Sequence, residues 1–291
     1  MILNVSMFEF LFLILAIPIS LIFVGIKRKL IARMQNRIGP PIWQPFYDVI
    51  KLFEKGESDS KANENIIFQI MPLIYLIVTF SLFLFLPFSI ISFHLDFILF
   101  IYIFILGGAL YILLGIASNS PYGYIGSMRD MTLMLCYEII FAIVIFTFVV
   151  FTGIQTLADF NGIWMIWKLP IASACLFIIA LVETRITPFD TVEANTEIIG
   201  SVETEFSGRS LAFFEISSDL RLAFFVFLTT LLFFGFQDLL TFSMISLIML
   251  FALTFCQATT CRYRLDQTLN ILIIVLFFSV VELIRINFIV W

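Results

Sequence analysis

Long apolar runs recur along the whole chain, and they predict helices that cross a membrane. A span needs about 20 mostly apolar residues. Eight runs come close to this length: 5–26, 66–89, 95–117, 131–152, 168–184, 211–235, 239–259 and 268–289. Charged residues interrupt the first part of the sixth run, so seven spans are the alternative count. The pattern predicts an all-α, polytopic transmembrane protein of about eight spans, forming a single membrane domain over residues 1–291.

The composition requires that much of the surface faces lipid. Hydrophobic residues make up 62% of the 291 residues and charged residues only 13%, whereas a soluble domain carries roughly 25% charged residues. A soluble fold of this size could not bury so much apolar surface. A cleaved signal peptide is not the explanation either, because apolar runs continue to the last residues.

Basic residues are strongly segregated between alternate connectors. The connectors 27–65, 118–130, 185–210 and 260–267 hold Lys27, Arg28, Lys29, Arg33, Arg37, Lys51, Lys55, Lys61, Arg129, Arg185, Arg209, Arg262 and Arg264. The opposite connectors and tail hold only Lys168 and Arg285. By the positive-inside rule, the N-terminus is expected outside and the long loops in the cytoplasm of a multi-pass cell-membrane protein.

The first cytoplasmic loop, 27–65, is a candidate docking surface. Its basic residues recur near helical spacing, so we expect the first helix to pass the membrane surface and stop at Gly39-Pro40-Pro41. Aromatic residues around Pro45 then predict an amphipathic segment along the interface. One interpretation is an orientation anchor that binds anionic headgroups. The other is a docking surface for a peripheral subunit, which the rigid prolines favour.

A carboxylate is expected inside the fourth span. Arg129 and Asp130 precede that span, and Glu138 follows eight residues after Asp130, about 12 Å further along a helix. A charge at such a depth costs a few kcal/mol and usually faces a wet cavity or a partner. The alternative is a structural hydrogen bond to a neighbouring helix.

The acidic loop 185–210 and its flanks hold the densest group of ionisable residues. The acids are Glu183, Asp190, Glu193, Glu197, Glu203 and Glu205, with Pro188 among them. If 190–199 is helical, Asp190, Glu193 and Glu197 share one face. Crowded carboxylates raise one another's pKa, which suits groups that bind and release protons near neutral pH. The alternative is a solvated loop.

Two further patterns limit the chemistry. Arg262, Arg264 and Asp266 precede the last span, where they could pair with the acidic loop, dock a partner or act as a simple anchor. Four scattered cysteines without a CxxC pair and the single His94 predict no metal site and no cofactor in this chain. Nor is there a nucleophile with its base, a phosphate-binding glycine loop or a nucleic-acid surface. We therefore expect proton movement and no catalytic residue.

Several segments, in order, resemble subunit 1 of NADH dehydrogenase (complex I) and its relatives in energy-converting, membrane-bound [NiFe] hydrogenases. They are ARMQNRIGP, ASNS with the later Glu138, ETRxxPFDxxEANTE, EFSG and RYRLDQ, and they cover about Lys27 to Asp266. The compact stretch Gly39–Asp48 looks like the hydrogenase form. Ile186, Asn195, Gln257 and Cys261 depart from the quinone-reducing pattern, which disfavours a quinone-headgroup site.

The resemblance implies a subunit that anchors a peripheral electron-transfer arm and joins it to antiporter-like membrane subunits. The iron–sulfur clusters and the [NiFe] centre would lie in those partners. Glu138, Glu183, Asp190, Glu193 and Glu197, with Glu203 and Glu205 nearby, would couple redox chemistry to H⁺ or Na⁺ movement. The docking residues would be Lys29, Arg33, Gln35, Arg37, Gly39, Pro40, Gln44, Pro45, Asp48, Arg129, Arg262, Arg264 and Asp266.

Three functions stay open at this point. The first is the anchor and coupling subunit of a ferredoxin-oxidising, H₂-evolving complex or a close relative. The second is the quinone-site subunit of a respiratory NADH dehydrogenase. The third is a free-standing ion transporter, which the docking-type loop and the absence of a visible inverted repeat disfavour.

Overall fold

The computed structural model describes residues 7–57, 65–86, 94–154, 156–160 and 164–290, and this part of the chain is helical. The helices are α1 (Met7–Met34), α2 (Gln44–Glu54), α3 (Ile66–Ser81), α4 (Asp96–Ala117), α5 (Pro121–Thr152), α6 (Met165–Lys168), α7 (Pro170–Glu183), α8 (Asn195–Ile198), α9 (Gly208–Phe234), α10 (Leu239–Thr259) and α11 (Leu265–Val290). Short 3₁₀ turns occupy Leu82–Leu84, Leu157–Asp159 and Ser201–Glu205.

Seven helices among the described residues are long and apolar enough to cross a membrane: α1, α3 with its 3₁₀ extension, α4, α5, α9, α10 and α11. The fifth predicted span is instead the short helix α7. Its 14 residues extend about 21 Å, less than the roughly 30 Å of a hydrocarbon core. The all-α polytopic fold is confirmed, while the outside position of the N-terminus stays a prediction.

Helix α9 lies at the centre of the bundle, in contact with α1, α2, α3, α6, α7 and α10. Its most apolar window is 89% buried inside the protein, against 28–50% for the other six candidate spans. This position explains the charges that interrupt its sequence. Arg221 is buried and paired with Glu183, and Asp219 lines a polar cavity, which avoids the cost of placing a charge against hydrocarbon.

Two predicted helix ends are wrong. Helix α1 ends at Met34, five residues before Gly39, because Asn36 takes a left-handed conformation (φ 57°). The Asn36 and Arg37 amides donate to the carbonyls of Arg33 and Ala32, the bonds of a Schellman cap in which asparagine is tolerated. Helix α5 begins at Pro121, not at 131, since proline is suited to the first helical turn.

Small residues bring α5 close to the 3₁₀ turn within the acidic loop. Gly126 of α5 lies against Ser201, and a Cβ atom built at Gly126 would stand 2.6 Å from the Ser201 Cβ. Such a separation is shorter than any van der Waals contact. The glycine therefore sets how closely the 3₁₀ turn Ser201–Glu205 approaches the membrane helices.

We predict that Gly126→Ala destabilises the protein by about 1–3 kcal/mol, the usual range for overpacking. Thermal unfolding in detergent measures the change. Gly56→Ala is the matched control, because a Cβ there would meet no atom within 4 Å. Equal melting temperatures for the two variants would contradict the close packing described above.

Candidate functional site

A polar cavity of about 220 Å³ lies where α1, α9 and the acidic loop meet. Its charged lining consists of the acids Glu183, Asp190, Glu193, Glu203 and Asp219 and the bases Lys27, Arg185 and Arg221. We call this the carboxylate cavity. It holds two more acids than bases, so its lining cannot be neutral unless carboxyl groups bind protons or other cations.

Arg185 is placed in the cavity by the way α7 ends. Its φ of 49° is left-handed, and its amide donates to the Val182 carbonyl while the Ile186 amide donates to the Leu181 carbonyl. These are the two bonds of a Schellman cap, where glycine is usual. A non-glycine residue in this conformation costs about 1–3 kcal/mol. The surrounding contacts of the side chain must offset that strain.

The Arg185 guanidinium joins two helices and the acidic loop. It donates to the Asp130 carboxylate of α5 at 2.9 Å, and both side chains are almost completely buried. It lies 3.3 Å from the centre of the Tyr111 ring of α4 and its Nε is 3.9 Å from Glu193 Oε1. The Tyr111 hydroxyl donates to that same Glu193 oxygen at 3.4 Å. Arg185 is thus the charge around which this side of the cavity is assembled.

A second buried pair joins α7 to the central helix α9. Arg221 donates to the Glu183 carboxylate, and the two side chains are 4% and 1% exposed. The other guanidinium nitrogen donates to the Tyr75 hydroxyl of α3 at 3.2 Å. Removing one member of such a pair leaves an uncompensated charge in a low-dielectric interior. Glu183 and Arg221 therefore hold each other in place.

The condition under which Asp190, Glu193 and Glu197 would share one helix face is not met over 190–199. Only Asn195–Ile198 forms a helical turn, so the acids do not share a helix face and instead point to different partners. Asp190 and Glu193 line the cavity, and Asp190 pairs with Arg262 from the connector before α11. Glu197 points outward, is 51% exposed and pairs with Arg129 at 2.8 Å.

Burial determines how the loop carboxylates titrate. Burial raises the pKa of Glu193 and of Asp190, and for Asp190 it outweighs the lowering by the Arg262 guanidinium. Burial also raises the pKa of Glu203 to about 8, with the charge of Glu193 adding to the effect. By contrast, the hydrogen bond from Arg129 lowers the pKa of the exposed Glu197. Three cavity acids are thus shifted toward neutral pH, where proton exchange is most useful.

Glu138 and Glu205 lie outside the cavity lining. Glu138 of α5 turns toward α4, where a Cβ at Gly108 would stand 3.0 Å from Glu138 Oε1. That oxygen is buried and has no hydrogen-bond partner among the described residues. Glu138 is close enough to Glu183 and Asp130 for their charges to interact. Glu205 ends the 3₁₀ turn, away from the cavity.

The predicted docking residues form two surfaces. At the end of α1, Arg33, Gln35 and Arg37 are exposed, with Lys29 and the loop residues Gly39 and Pro40 partly covered. A separate groove of about 320 Å³ is lined by Arg129, Arg262, Arg264 and Asp266, together with Glu197. Both surfaces offer exposed cations to a partner.

Three of the predicted docking residues serve the fold itself. Asp48 accepts from Arg28 of α1 at 2.8 Å, which fastens α2 to α1, and from Gln44 of its own helix at 2.9 Å. Pro45 is buried. Their role in docking stays a prediction.

Several functional residues were missed by sequence reasoning. Asp130, Lys27, Asp219 and Tyr111 all contribute to the cavity or its supports. The sequence feature that could have identified them is an ionisable or hydroxyl group inside or beside an apolar run. For Lys27, this feature was read as part of the segregated basic residues. No local pattern marks Tyr111, since aromatic residues are frequent throughout the chain.

The fold and the site define a class of protein, a polytopic helical membrane subunit with a buried carboxylate cavity. The chain matches the family model described as NADH dehydrogenase over residues 7–287. It is 32% identical over 270 residues to a subunit of the NADH-quinone oxidoreductase of Geobacillus sp. (strain WCH70), covering 84% of this chain and 81% of the relative. It is 29% identical over 272 residues to "NADH-ubiquinone oxidoreductase chain 1" of Tetraodon nigroviridis, covering 85% and 82% of the two chains.

The chain belongs to the NADH dehydrogenase family. It is the multi-pass membrane subunit of an oxidoreductase complex related to complex I. A solved structure with the same fold is a chain of the membrane-bound sulfane sulfur reductase, an archaeal respiratory membrane complex. The TM-score is 0.87 and the identity 23%, over 96% of this chain and 98% of that one.

The pKa of Glu203 leads to a prediction about stability. The folded protein holds the Glu203 proton up to a pH of about 8, whereas the ordinary value is 4.5. Stability contributed by this proton is complete below pH 4.5 and is lost as the pH rises through 8. We expect Glu203→Gln to flatten the fall in melting temperature between pH 4.5 and a pH of about 8, the window set by the two pKa values.

Glu197→Gln is the matched control for this measurement, because the Glu197 pKa lies below 4.5 and the side chain is exposed. Its melting curve should follow the wild-type pH dependence over the same range. A Glu203→Gln protein that keeps the wild-type slope would show that Glu203 is already ionised at neutral pH.

Proposed function

We propose that this chain is the membrane anchor and coupling subunit of an ion-translocating oxidoreductase complex. A peripheral arm carrying iron–sulfur clusters and a [NiFe]-type large subunit would oxidise ferredoxin and evolve H₂. Antiporter-like membrane subunits would move H⁺ or Na⁺ across the cell membrane. The observation that carries this proposal is the carboxylate cavity, with five acids around three bases at the end of a helical membrane bundle.

The composition of the cavity supports a role in charge movement. Carboxyl groups whose pKa values are raised by burial change their charge in response to small electrostatic changes nearby. Electron transfer in a docked arm supplies such a change. Asp190 and Glu193 lie in the loop that also carries Glu197, and Asp190 and Glu197 pair with the partly exposed Arg262 and Arg129 of the groove. A partner that binds in the groove would therefore contact the same loop that lines the cavity.

Placing the redox groups in partner subunits follows from the chain's ligand content. Iron–sulfur clusters are held by sets of cysteine thiolates, and this chain has four cysteines. Cys136, Cys175 and Cys256 lie on α5, α7 and α10, respectively. Thiols dispersed over separate helices are unsuited to a cluster site, which supports a subunit that contributes carboxylates and arginines to the coupling.

A second candidate is the quinone-site subunit of a respiratory NADH:quinone oxidoreductase. The similarity to the Geobacillus protein, described as part of an NADH-quinone oxidoreductase, favours it. Two features favour the first candidate. The cavity volume of about 220 Å³ is smaller than the roughly 300–1,000 Å³ of typical small-molecule sites. Its lining is charged, whereas quinones bind apolar surroundings with a few polar contacts.

The solved structure with the same fold suggests a further candidate for the terminal electron acceptor. That complex is a sulfane sulfur reductase, so a sulfur compound is a third acceptor beside protons and quinone. The coupling role of the membrane subunit is the same in each case. Activity assays with each acceptor on the purified complex would identify the acceptor.

Glu138→Gln tests the coupling role. We expect the assembled complex in vesicles to oxidise reduced ferredoxin at close to the wild-type rate while ion uptake falls about a hundredfold, the lower end of what one proton-transferring side chain contributes. A pH-sensitive dye and ²²Na⁺ uptake follow the two ions. The amide keeps the size of the side chain but cannot bind and release a proton.

Glu54→Gln is the control, since Glu54 is an exposed carboxylate at the end of α2. It should leave both electron transfer and ion uptake unchanged. Normal ion uptake in the Glu138→Gln complex would remove Glu138 from the coupling path.

A further inference from the structure

The connectors and tail opposite to the carboxylate cavity hold only two basic residues in the sequence, and the fold brings these two together. Lys168 is the last residue of α6, and Arg285 lies near the end of α11, 117 residues further along the chain. The Arg285 Nη2 atom donates to the Lys168 carbonyl at 3.3 Å. Cations are uncommon on the face opposite to the basic loops, so two that lie side by side there suit a shared anionic ligand.

The Arg285 guanidinium is held in place by the protein and still has donors to offer. Its Nη2 atom binds the buried Glu282 carboxylate at 2.6 Å as well as the Lys168 carbonyl. The Nε and Nη1 atoms form no hydrogen bond with the described residues, and the side chain is 41% exposed. Lys168 is exposed and forms no ion pair within the described part of the chain. A phosphate group is a good acceptor for donors of both kinds.

The length of α11 places this pair of cations at a membrane surface. The helix begins at Leu265, directly after the exposed Arg264, and Arg285 follows 20 residues later. Those residues extend about 30 Å, which is also the approximate thickness of the hydrocarbon core. Arg264 and Arg285 therefore lie at opposite boundaries of the core, at the level of the phospholipid headgroups.

Two tryptophans next to Lys168 mark the same boundary. Trp167 is 80% exposed, and Trp164 is half exposed, with its ring against Phe234 at the end of α9. Tryptophan is enriched where the membrane meets water, because its ring is apolar and its N–H group is polar. The segment before α7 therefore lies among headgroups, within reach of their phosphates.

An exposed apolar track leads from Arg285 into the membrane. Val281, Phe278 and Ile274 precede Arg285 by 4, 7 and 11 residues and are all exposed, so they lie in one row on the face of α11 that carries the arginine. The row from Arg285 to Ile274 extends about 16 Å, close to half of the hydrocarbon core. This is the length that the acyl chain of a phospholipid in one leaflet requires.

We propose that Lys168 and Arg285 bind the phosphate of an anionic phospholipid on the membrane face opposite to the carboxylate cavity. One acyl chain lies along Val281, Phe278 and Ile274. The apolar track favours a lipid over a soluble phosphate or an acidic protein segment, because neither of these has a chain to place on it. The proposal does not depend on the coupling function.

The test measures saturable binding of ³²P-labelled phosphatidylglycerol to the delipidated complex in detergent. We expect Lys168→Gln to weaken this binding about fivefold, the equivalent of about 1 kcal/mol for one basic residue at an anionic lipid. Arg285→Lys should weaken it as well, because lysine keeps the charge beside Glu282 but lacks the planar fork of donors. Arg209→Gln is the matched control, since Arg209 is an exposed cation at the start of α9, on the cavity's face. It should bind the lipid like wild type.

Equal affinity in wild type and Lys168→Gln would overturn the proposal. So would phosphatidylcholine binding as tightly as phosphatidylglycerol, or displacement of the labelled lipid by millimolar inorganic phosphate, which would indicate a site for free phosphate. A Lys168→Gln complex that loses a subunit but binds lipid normally would assign the two cations to a partner protein. If Arg285→Lys does not assemble, Lys168→Gln decides alone, because the Lys168 side chain holds no ion pair that the fold needs.

Discussion

The arrangement of the cavity depends on the contacts of one buried guanidinium, that of Arg185. Its guanidinium meets Asp130 of α5, the Tyr111 ring of α4 and Glu193 of the acidic loop, and almost none of it is exposed to solvent. Burying an ion is expensive, of the order of several kcal/mol, and Arg185 also holds a left-handed backbone. Two carboxyl groups and an aromatic ring around the guanidinium offset these costs. The same contacts fix the position of the loop acids, which would otherwise repel one another.

The membrane explains why this polar cluster takes the form it does. In lipid, backbone groups must be satisfied within helices, and irregular segments are tolerated only where protein surrounds them. The non-helical segment after α7 meets this condition, because α9 is central and α5 lies against the turn Ser201–Glu205. A short α7 leaves room at its end for the loop to enter the bundle. The cavity is therefore a consequence of the short helix α7, which packs among the longer helices α5, α9 and α11.

The helices and the important acids could be predicted from the sequence, since apolar runs of the required length are hard to arrange in any other way. The residues with which these acids pair could not be predicted. Asp190 and Arg262 are 72 residues apart along the chain, and no local pattern connects them. The spacing of the acids over 190–199 could not show whether that segment is helical, and only Asn195–Ile198 forms a helical turn. Asp190 and Glu193 line the cavity, whereas Glu197 faces outward and pairs with Arg129.

The end of α7 was predicted correctly, since the fifth apolar run stops at 184 and the helix at Glu183. The residue that caps it was not predicted, because a left-handed cap residue is usually glycine and here it is Arg185. The unusual residue at the cap is itself informative. A strained arginine retained where glycine would fit more easily indicates that its side chain has a task in the cavity.

The central claim is that the buried acids exchange protons near a redox partner, and a high-resolution map of the assembled complex tests it most directly. The account predicts ordered water in the carboxylate cavity, continuing toward Glu138, with the partner's metal centres close to the acidic loop. A dry cavity whose acids are held in static pairs, remote from those metal centres, would contradict it.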